Sequence, residues 1–182
     1  MTVPILLTFI RIFLTPYLVW LLLNNRIDHA LFVFFVAGIT DGLDGFIARM
    51  FHQKSKLGAY LDPLADKLLL VSCFVLLGHL GLIPSWLVII AVSRDAFILL
   101  GLMTLWFFQV QVDIRPTAVS KMTTLFQLFT ILLVLATSIV SLPTWGLSIV
   151  FGITAALSVV SGIHYITVGI RLLEGGWFSR PS

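Results

Sequence analysis

Four carboxylates stand in one stretch of an otherwise apolar chain, Thr40 to Lys67, with the sequence TDGLDGFIARMFHQKSKLGAYLDPLADK. Asp41 and Asp44 lie near the end of one apolar run, and Asp62 and Asp66 near the start of the next. If both runs are helical, Asp41 and Asp44 at i,i+3 share one helix face, and so do Asp62 and Asp66 at i,i+4. The short polar hairpin Phe51 to Leu57 folds the two helices antiparallel, so that the four acids can meet. Carboxylates in an apolar setting are costly unless neutralised, and their convergence predicts a hard divalent cation held by oxygen.

The elements that position them follow from composition. The 182 residues are 59% hydrophobic and 10% charged, with a mean hydropathy of +1.10, values that exclude an ordinary soluble globular domain. The net charge of +3 and pI of about 9.4 do not indicate nucleic-acid binding, because the basic residues are few and sit at segment ends, as in a membrane protein with a positive inner side. Cys73 is alone within an apolar run, so it forms no intramolecular disulfide and reads as a small buried hydrophobe. The first apolar run lacks a basic leader and a small-residue cleavage site, and is expected to be a retained membrane helix.

Six apolar segments can be drawn, Pro4 to Leu23, His29 to Met50, Gly58 to Leu80, Pro84 to Phe108, Thr117 to Ser141 and Trp145 to Leu173. Each is near the ~20 residues that span a hydrocarbon core. The predicted fold is therefore an all-α integral membrane protein of six transmembrane helices, a single domain over residues 1–182, with a polar cavity facing the cytoplasm. Arg49, Lys54, Lys56, Arg115, Arg171 and Arg180 fall on one side and Arg26 on the other. That asymmetry predicts an inner, cytoplasmic membrane location with both termini and the acidic cluster on the cytoplasmic side. Trp145 and Trp177 suit an interfacial aromatic belt.

Ionisable residues inside membrane segments face polar cavities and mark function by default. Besides the four acids they are Arg11, Lys67, Arg94, Asp95 and Lys121. Neighbouring residues on a helix point about 100° apart, so Arg94 and Asp95 are not expected to pair face to face, and Arg94 is expected to point at an anionic ligand or an acid of the cluster. Lys121 can snorkel to the surface. His29, His79 and His164 read as interfacial or packed, and His52 as solvated. Gly45, Ala48 and Gly58 lie four residues from Asp41, Asp44 and Asp62, on the acidic faces, where small side chains admit a bulky ligand or a neighbouring helix.

Asp41, Asp44, Gly45, Ala48, Arg49, Gly58, Asp62 and Asp66 together reproduce the pattern D-x2-D-G-x2-A-R-x8-G-x3-D-x3-D. On this motif, and on six segments with the motif across the second and third, the whole chain resembles the CDP-alcohol phosphotransferases. The resemblance implies transfer of a phosphatidyl group from CDP-diacylglycerol to an alcohol, with release of CMP. It further implies two divalent cations, Mg2+ or Mn2+, on Asp41, Asp44, Asp62 and Asp66, with Asp66 also taking the proton of the attacking hydroxyl. Asp44, Gly45, Ala48, Arg49 and Gly58 would line the CDP pocket. The resemblance also implies a homodimer. Paired metals suit this chemistry, since they neutralise the diphosphate and align the attacking and leaving oxygens.

For the acceptor, the segment Pro4 to Pro16 with Leu7, Thr8 and Arg11, and the run Asp62 to Lys67, are similar to bacterial phosphatidylglycerophosphate synthases, which use glycerol 3-phosphate. Arg94 and Lys121, helped by Arg115, would then hold the acceptor phosphate. Ser93-Arg94-Asp95 and Ser120-Lys121-Met122-Thr123-Thr124, where Thr123 replaces a second lysine, are instead similar to eukaryotic-type cardiolipin synthases, which use phosphatidylglycerol. Glycerol 3-phosphate is the first expectation and phosphatidylglycerol the alternative. A cation transporter is a third reading. It predicts charges near the midplane and a path from both faces, whereas these acids crowd toward one face and Arg49 would repel a passing cation. A purely structural scaffold gains nothing from buried carboxylates without a ligand.

Overall fold

All the regular structure of the described chain is helical. The computed structural model describes the backbone of residues 3–50, 56–107 and 118–178, and the side chains of 9–40, 65–101, 103 and 118–169. The helices are α1 (Val3–Leu23), α2 (Ile27–Met50), α3 (Lys56–His79), α4 (Ser85–Phe107), α5 (Ala118–Ala136) and α6 (Thr144–Phe178). They coincide with the six apolar segments of the sequence to within a few residues at most ends. The hairpin between α2 and α3 lies mostly outside the described residues.

Two corners share one device. After α1, Asn25 adopts a left-handed φ of 54° while Arg26 N–H donates to the Leu21 carbonyl at 2.9 Å. After α3, Gly81 has a φ of 73° and Leu82 N–H donates to the Leu77 carbonyl at 2.9 Å. Both are left-handed caps that reach back across the last helical turn, and asparagine and glycine are the residues that tolerate that conformation. The second corner is also tight, since a Cβ on Gly78 would lie 2.6 Å from Val88 Cγ2. Gly78 therefore lets α3 and α4 close on each other just before their connection.

α1 packs on α2 and α3, α4 on α6 and α3, and α5 on α6 and α2. One apolar core runs through the bundle, with Leu18, Leu22, Phe74, Leu77, Leu87, Ile131 and Leu135 all sealed from solvent. Cys73 belongs to it, as its apolar neighbourhood predicts. The outside is apolar as well: Phe13, Phe32, Ile89, Leu125 and Ile163 stand exposed on α1, α2, α4, α5 and α6. Arg11, Arg94, Asp95 and Gln127 are meanwhile buried. A surface this greasy around charged interior groups is the inverse of a soluble fold and matches a lipid solvent.

By length and apolar content, Ala118–Ala136 and Thr144–Gly169 qualify to cross a membrane, with mean hydropathies of 1.7 and 2.0. The apolar segments Phe9–Leu23 and Ile27–Thr40 are shorter. α5 ends at Ala136 rather than running on to Ser141, because the Thr137 and Ser138 hydroxyls capture the Val134 and Leu135 carbonyls at 2.6 and 2.8 Å and close the helix in a turn. α6 is longer than its apolar segment, at 35 residues, or about 50 Å at 1.5 Å per residue.

Candidate active site

Asp66 lies a little under halfway along α3 and forms part of the wall of a cavity of about 40 Å3. Arg11 of α1, Gly38 of α2 and Thr124 of α5 share that wall, with Leu69, Leu70 and Leu128 below them. The Arg11 guanidinium is buried and its Nη1 is ion-paired with Asp66 Oδ1. The Asp66 side chain is itself 37% exposed, so the carboxylate has one accessible side and one side held by a buried cation. Asp62 falls one turn earlier on the same face of α3. Asp41, Asp44, Gly45, Ala48 and Arg49 lie on the last three turns of α2, and Gly58 on the first turn of α3. The side chains of these residues, Asp62 included, lie outside the described residues, and Arg115 does so entirely.

Carboxylate oxygens, without thiolate, are the donor set preferred by hard octahedral cations such as Mg2+ and Mn2+. Asp66 brings such an oxygen to a cavity edge, which is consistent with that set. Among the described residues no three acidic, histidine or cysteine side chains converge.

A second polar centre begins one residue further along. Asp95 Oδ1 accepts from Lys67 Nζ of α3 and, at 2.6 Å, from Arg94 Nη1 of its own helix. Arg94 Nη2 donates to Ser120 Oγ of α5 at 2.7 Å and to Ser161 Oγ of α6 at 2.9 Å. Its side chain passes over Gly162, where a Cβ would sit 3.7 Å from Arg94 Cγ. One carboxylate and one guanidinium thus join α3, α4, α5 and α6.

This arrangement corrects the expectation that Arg94 and Asp95 cannot pair. A 100° step separates their Cα–Cβ directions, but the arginine side chain is long enough to turn back and bring Nη1 to its neighbour. Arg94 is engaged within the helical framework, bonded to Asp95, Ser120 and Ser161. Lys121 is exposed at the start of α5, as a snorkelling lysine should be. Thr123 is fully buried, its hydroxyl 2.8 Å from the Val119 carbonyl and 3.1 Å from the Leu157 carbonyl of α6. His29, His79 and His164 are exposed.

Sequence reasoning overlooked a polar seam between α5 and α6. Thr130 donates to the Phe126 carbonyl and receives the Thr154 hydroxyl at 2.8 Å. Ser158 donates to the Thr154 carbonyl at 2.7 Å. Gln127 is buried between these levels, and neither its Nε2 nor its Oε1 has a hydrogen-bond partner among the described residues. The signal was available: Ser120, Thr123, Gln127 and Thr130 recur at three- and four-residue spacing, as do Thr154, Ser158 and Ser161.

Comparison with known proteins agrees with the motif. The family model for CDP-alcohol phosphatidyltransferase matches residues 1–164. Cardiolipin synthase (CMP-forming) of Rattus norvegicus is 34% identical over 194 aligned positions, covering 96% of this chain and 64% of the relative. The Homo sapiens protein of the same name is 32% identical, covering 95% of this chain and 63% of the relative. CDP-diacylglycerol–glycerol-3-phosphate 3-phosphatidyltransferase of Haemophilus influenzae is 41% identical over 78 residues, 41% of this chain and 42% of the relative. The chain spans less than two thirds of the length of each of these three relatives. With the family model matched from residue 1 to residue 164, the chain belongs to the CDP-alcohol phosphatidyltransferase family.

Proposed function

We propose that this protein is a phospholipid-synthesising phosphatidyltransferase that moves the phosphatidyl group of CDP-diacylglycerol to an alcohol and releases CMP. Family membership together with the eight motif residues, Asp41 to Asp66, is the observation that carries this. Divalent cations on Asp41, Asp44, Asp62 and Asp66 would supply charge neutralisation of the diphosphate. Asp66, with an accessible carboxylate side, accepts the proton of the attacking hydroxyl as the new P–O bond forms and the bond to CMP breaks. Gly45, Ala48 and Gly58 leave room for the nucleotide, and Asp44 and Arg49 bind its polar groups. The six helices cross the membrane as a single domain with the acidic cavity toward the cytoplasm, so that the acyl chains stay in lipid while the headgroup enters. The positive-inside asymmetry supports an inner-membrane location, and the family supports a homodimer.

For the acceptor we favour phosphatidylglycerol, which reverses the preference drawn from sequence. Two cardiolipin synthases align with nearly the whole chain. Arg94, the cation expected to hold a terminal phosphate, is instead bonded to Asp95, Ser120 and Ser161. Thr123, at the position of a second lysine, is buried in the α5–α6 contact. Glycerol 3-phosphate is the second reading, favoured by the 41% identity to the Haemophilus influenzae enzyme and by exposed Lys121, with Arg115 as a further candidate.

The test is a transfer assay on purified protein with CDP-diacylglycerol, Mg2+ or Mn2+, and either acceptor. Cardiolipin formed with phosphatidylglycerol alone is expected. Product from glycerol 3-phosphate alone would reverse the choice, and undiminished turnover in chelator would remove the metals. Asp66→Asn is expected to abolish transfer while the protein stays folded.

A further inference from the structure

Arg11 is used by none of the chemistry above, yet it is the buried partner of the proposed base. Its guanidinium comes from α1, a helix that contributes no acid to the motif, and reaches across to α3. Both groups line the same cavity, with the cation on the inner side and the carboxylate partly open. A divalent ion arriving at Asp66 therefore meets a carboxylate that already has a counter-ion on Oδ1. Two effects oppose it. One oxygen is taken up by the Arg11 Nη1 bond, and a fixed positive charge sits within contact distance of the same carboxylate.

The converse holds when no metal is bound. Four carboxylates brought together to hold a metal would repel one another, and a buried guanidinium on one of them lowers that cost before any metal arrives. Released from Asp66, the guanidinium has an alternative in the same cavity: the Thr124 hydroxyl donates to the Ser120 carbonyl at 3.1 Å and keeps lone pairs to accept an arginine N–H.

We propose that Arg11 is the resident counter-ion of Asp66, which competes with the divalent cation for that carboxylate and sets how tightly the site holds metal. The inference rests on the reading of Asp66 as a metal ligand. Arg11 is then a positioning residue that keeps the metal exchangeable.

The experiment is Mn2+ binding to the purified full chain in detergent, read by the loss of the free Mn2+ paramagnetic resonance signal. Arg11→Gln is expected to tighten Mn2+ binding at least tenfold, and Arg11→Lys, which keeps the charge, to stay within about threefold of the parent protein. In an Asp66→Asn background the Arg11→Gln effect should largely vanish. Unchanged or weaker binding in Arg11→Gln overturns the inference, as does a tightening of equal size without Asp66. A parent protein that takes up no Mn2+ at millimolar concentration fails earlier and overturns the metal reading itself. Should Arg11→Gln not fold, the arginine side-chain nitrogen spectrum of the parent protein, with the Arg11 signal assigned from its loss in Arg11→Lys, is expected to shift on saturation with Mg2+. An unmoved Arg11 signal overturns the inference.

Discussion

Asp95 shows how one buried carboxylate can matter more to the fold than to the reaction. It accepts from Lys67 and Arg94, and Arg94 in turn is anchored by Ser120 and Ser161, every one of these groups except Lys67 being buried. Removing the acid leaves two cations with no counter-charge, the situation in which broken buried ion pairs lose most. Asp95→Leu is therefore expected to destabilise the protein by about 3–5 kcal/mol, measured by equilibrium unfolding with sodium dodecyl sulfate in mixed micelles. Lys67→Met should cost much less, because Asp95 keeps Arg94 and the lysine site is partly exposed. Equal losses for the two variants would mean that the carboxylate is not the hub. Sequence spacing missed this pair for a physical reason: it reports where Cα–Cβ vectors point, and a long flexible side chain such as Arg94 does not stay on its vector. Lys121, expected either to snorkel or to hold an acceptor phosphate, is exposed at the start of α5.

The helices themselves were legible because apolar runs of membrane-spanning length leave few alternatives, and the six runs became six helices. Their ends were less so, since Thr137 and Ser138 stop α5 with side-chain hydrogen bonds that hydropathy does not register. The α5–α6 pair carries the larger surprise. Ser120 meets Ser161 through Arg94, Thr123 reaches Leu157, and Thr130 reaches Thr154, which fixes an antiparallel register. Gln127 falls inside that register with both amide atoms unpartnered among the described residues. An isosteric apolar side chain avoids the desolvation of an unpaired amide, so Gln127→Leu is expected to be neutral or stabilising by about 1 kcal/mol in the same unfolding assay. Thr130→Val, which breaks the bond to Thr154, should instead cost about 1 kcal/mol. A strongly destabilised Gln127→Leu would mean that the amide is satisfied by an ordered water, and the seam would then be wet.

At the scale of the whole molecule, the polar groups are unevenly distributed along the bundle. Arg11, Asp66, Lys67 and Ser120 come from the first halves of α1, α3 and α5, away from the turns at 24–26, 80–84 and 137–143. Toward those turns the interior is mostly leucine, isoleucine, alanine and phenylalanine. If the six helices all cross the membrane, the three turns share one side, and the motif end with its lysines and arginines shares the other. The positive-inside rule then assigns the turns to the outer face. Single cysteines test this in a Cys73→Ala background, using a maleimide that does not cross membranes. Asn24→Cys, Ser85→Cys and Ser138→Cys are all expected to react in intact cells, whereas Lys121→Cys should react only in inverted vesicles. Labelling of Lys121→Cys from outside, with the three turns silent, would invert the orientation and put the acidic cavity on the face where a cytosolic nucleotide product cannot leave. A mixed result among the three turns would break the six-span topology itself. Only the mixed result would be felt at the residue scale, since the ion pair of Arg11 and Asp66 and the network at Asp95 depend on α1, α3 and α5 presenting their N-terminal ends, and α4 its C-terminal end, to the same side, an arrangement that inversion of the whole bundle leaves unchanged.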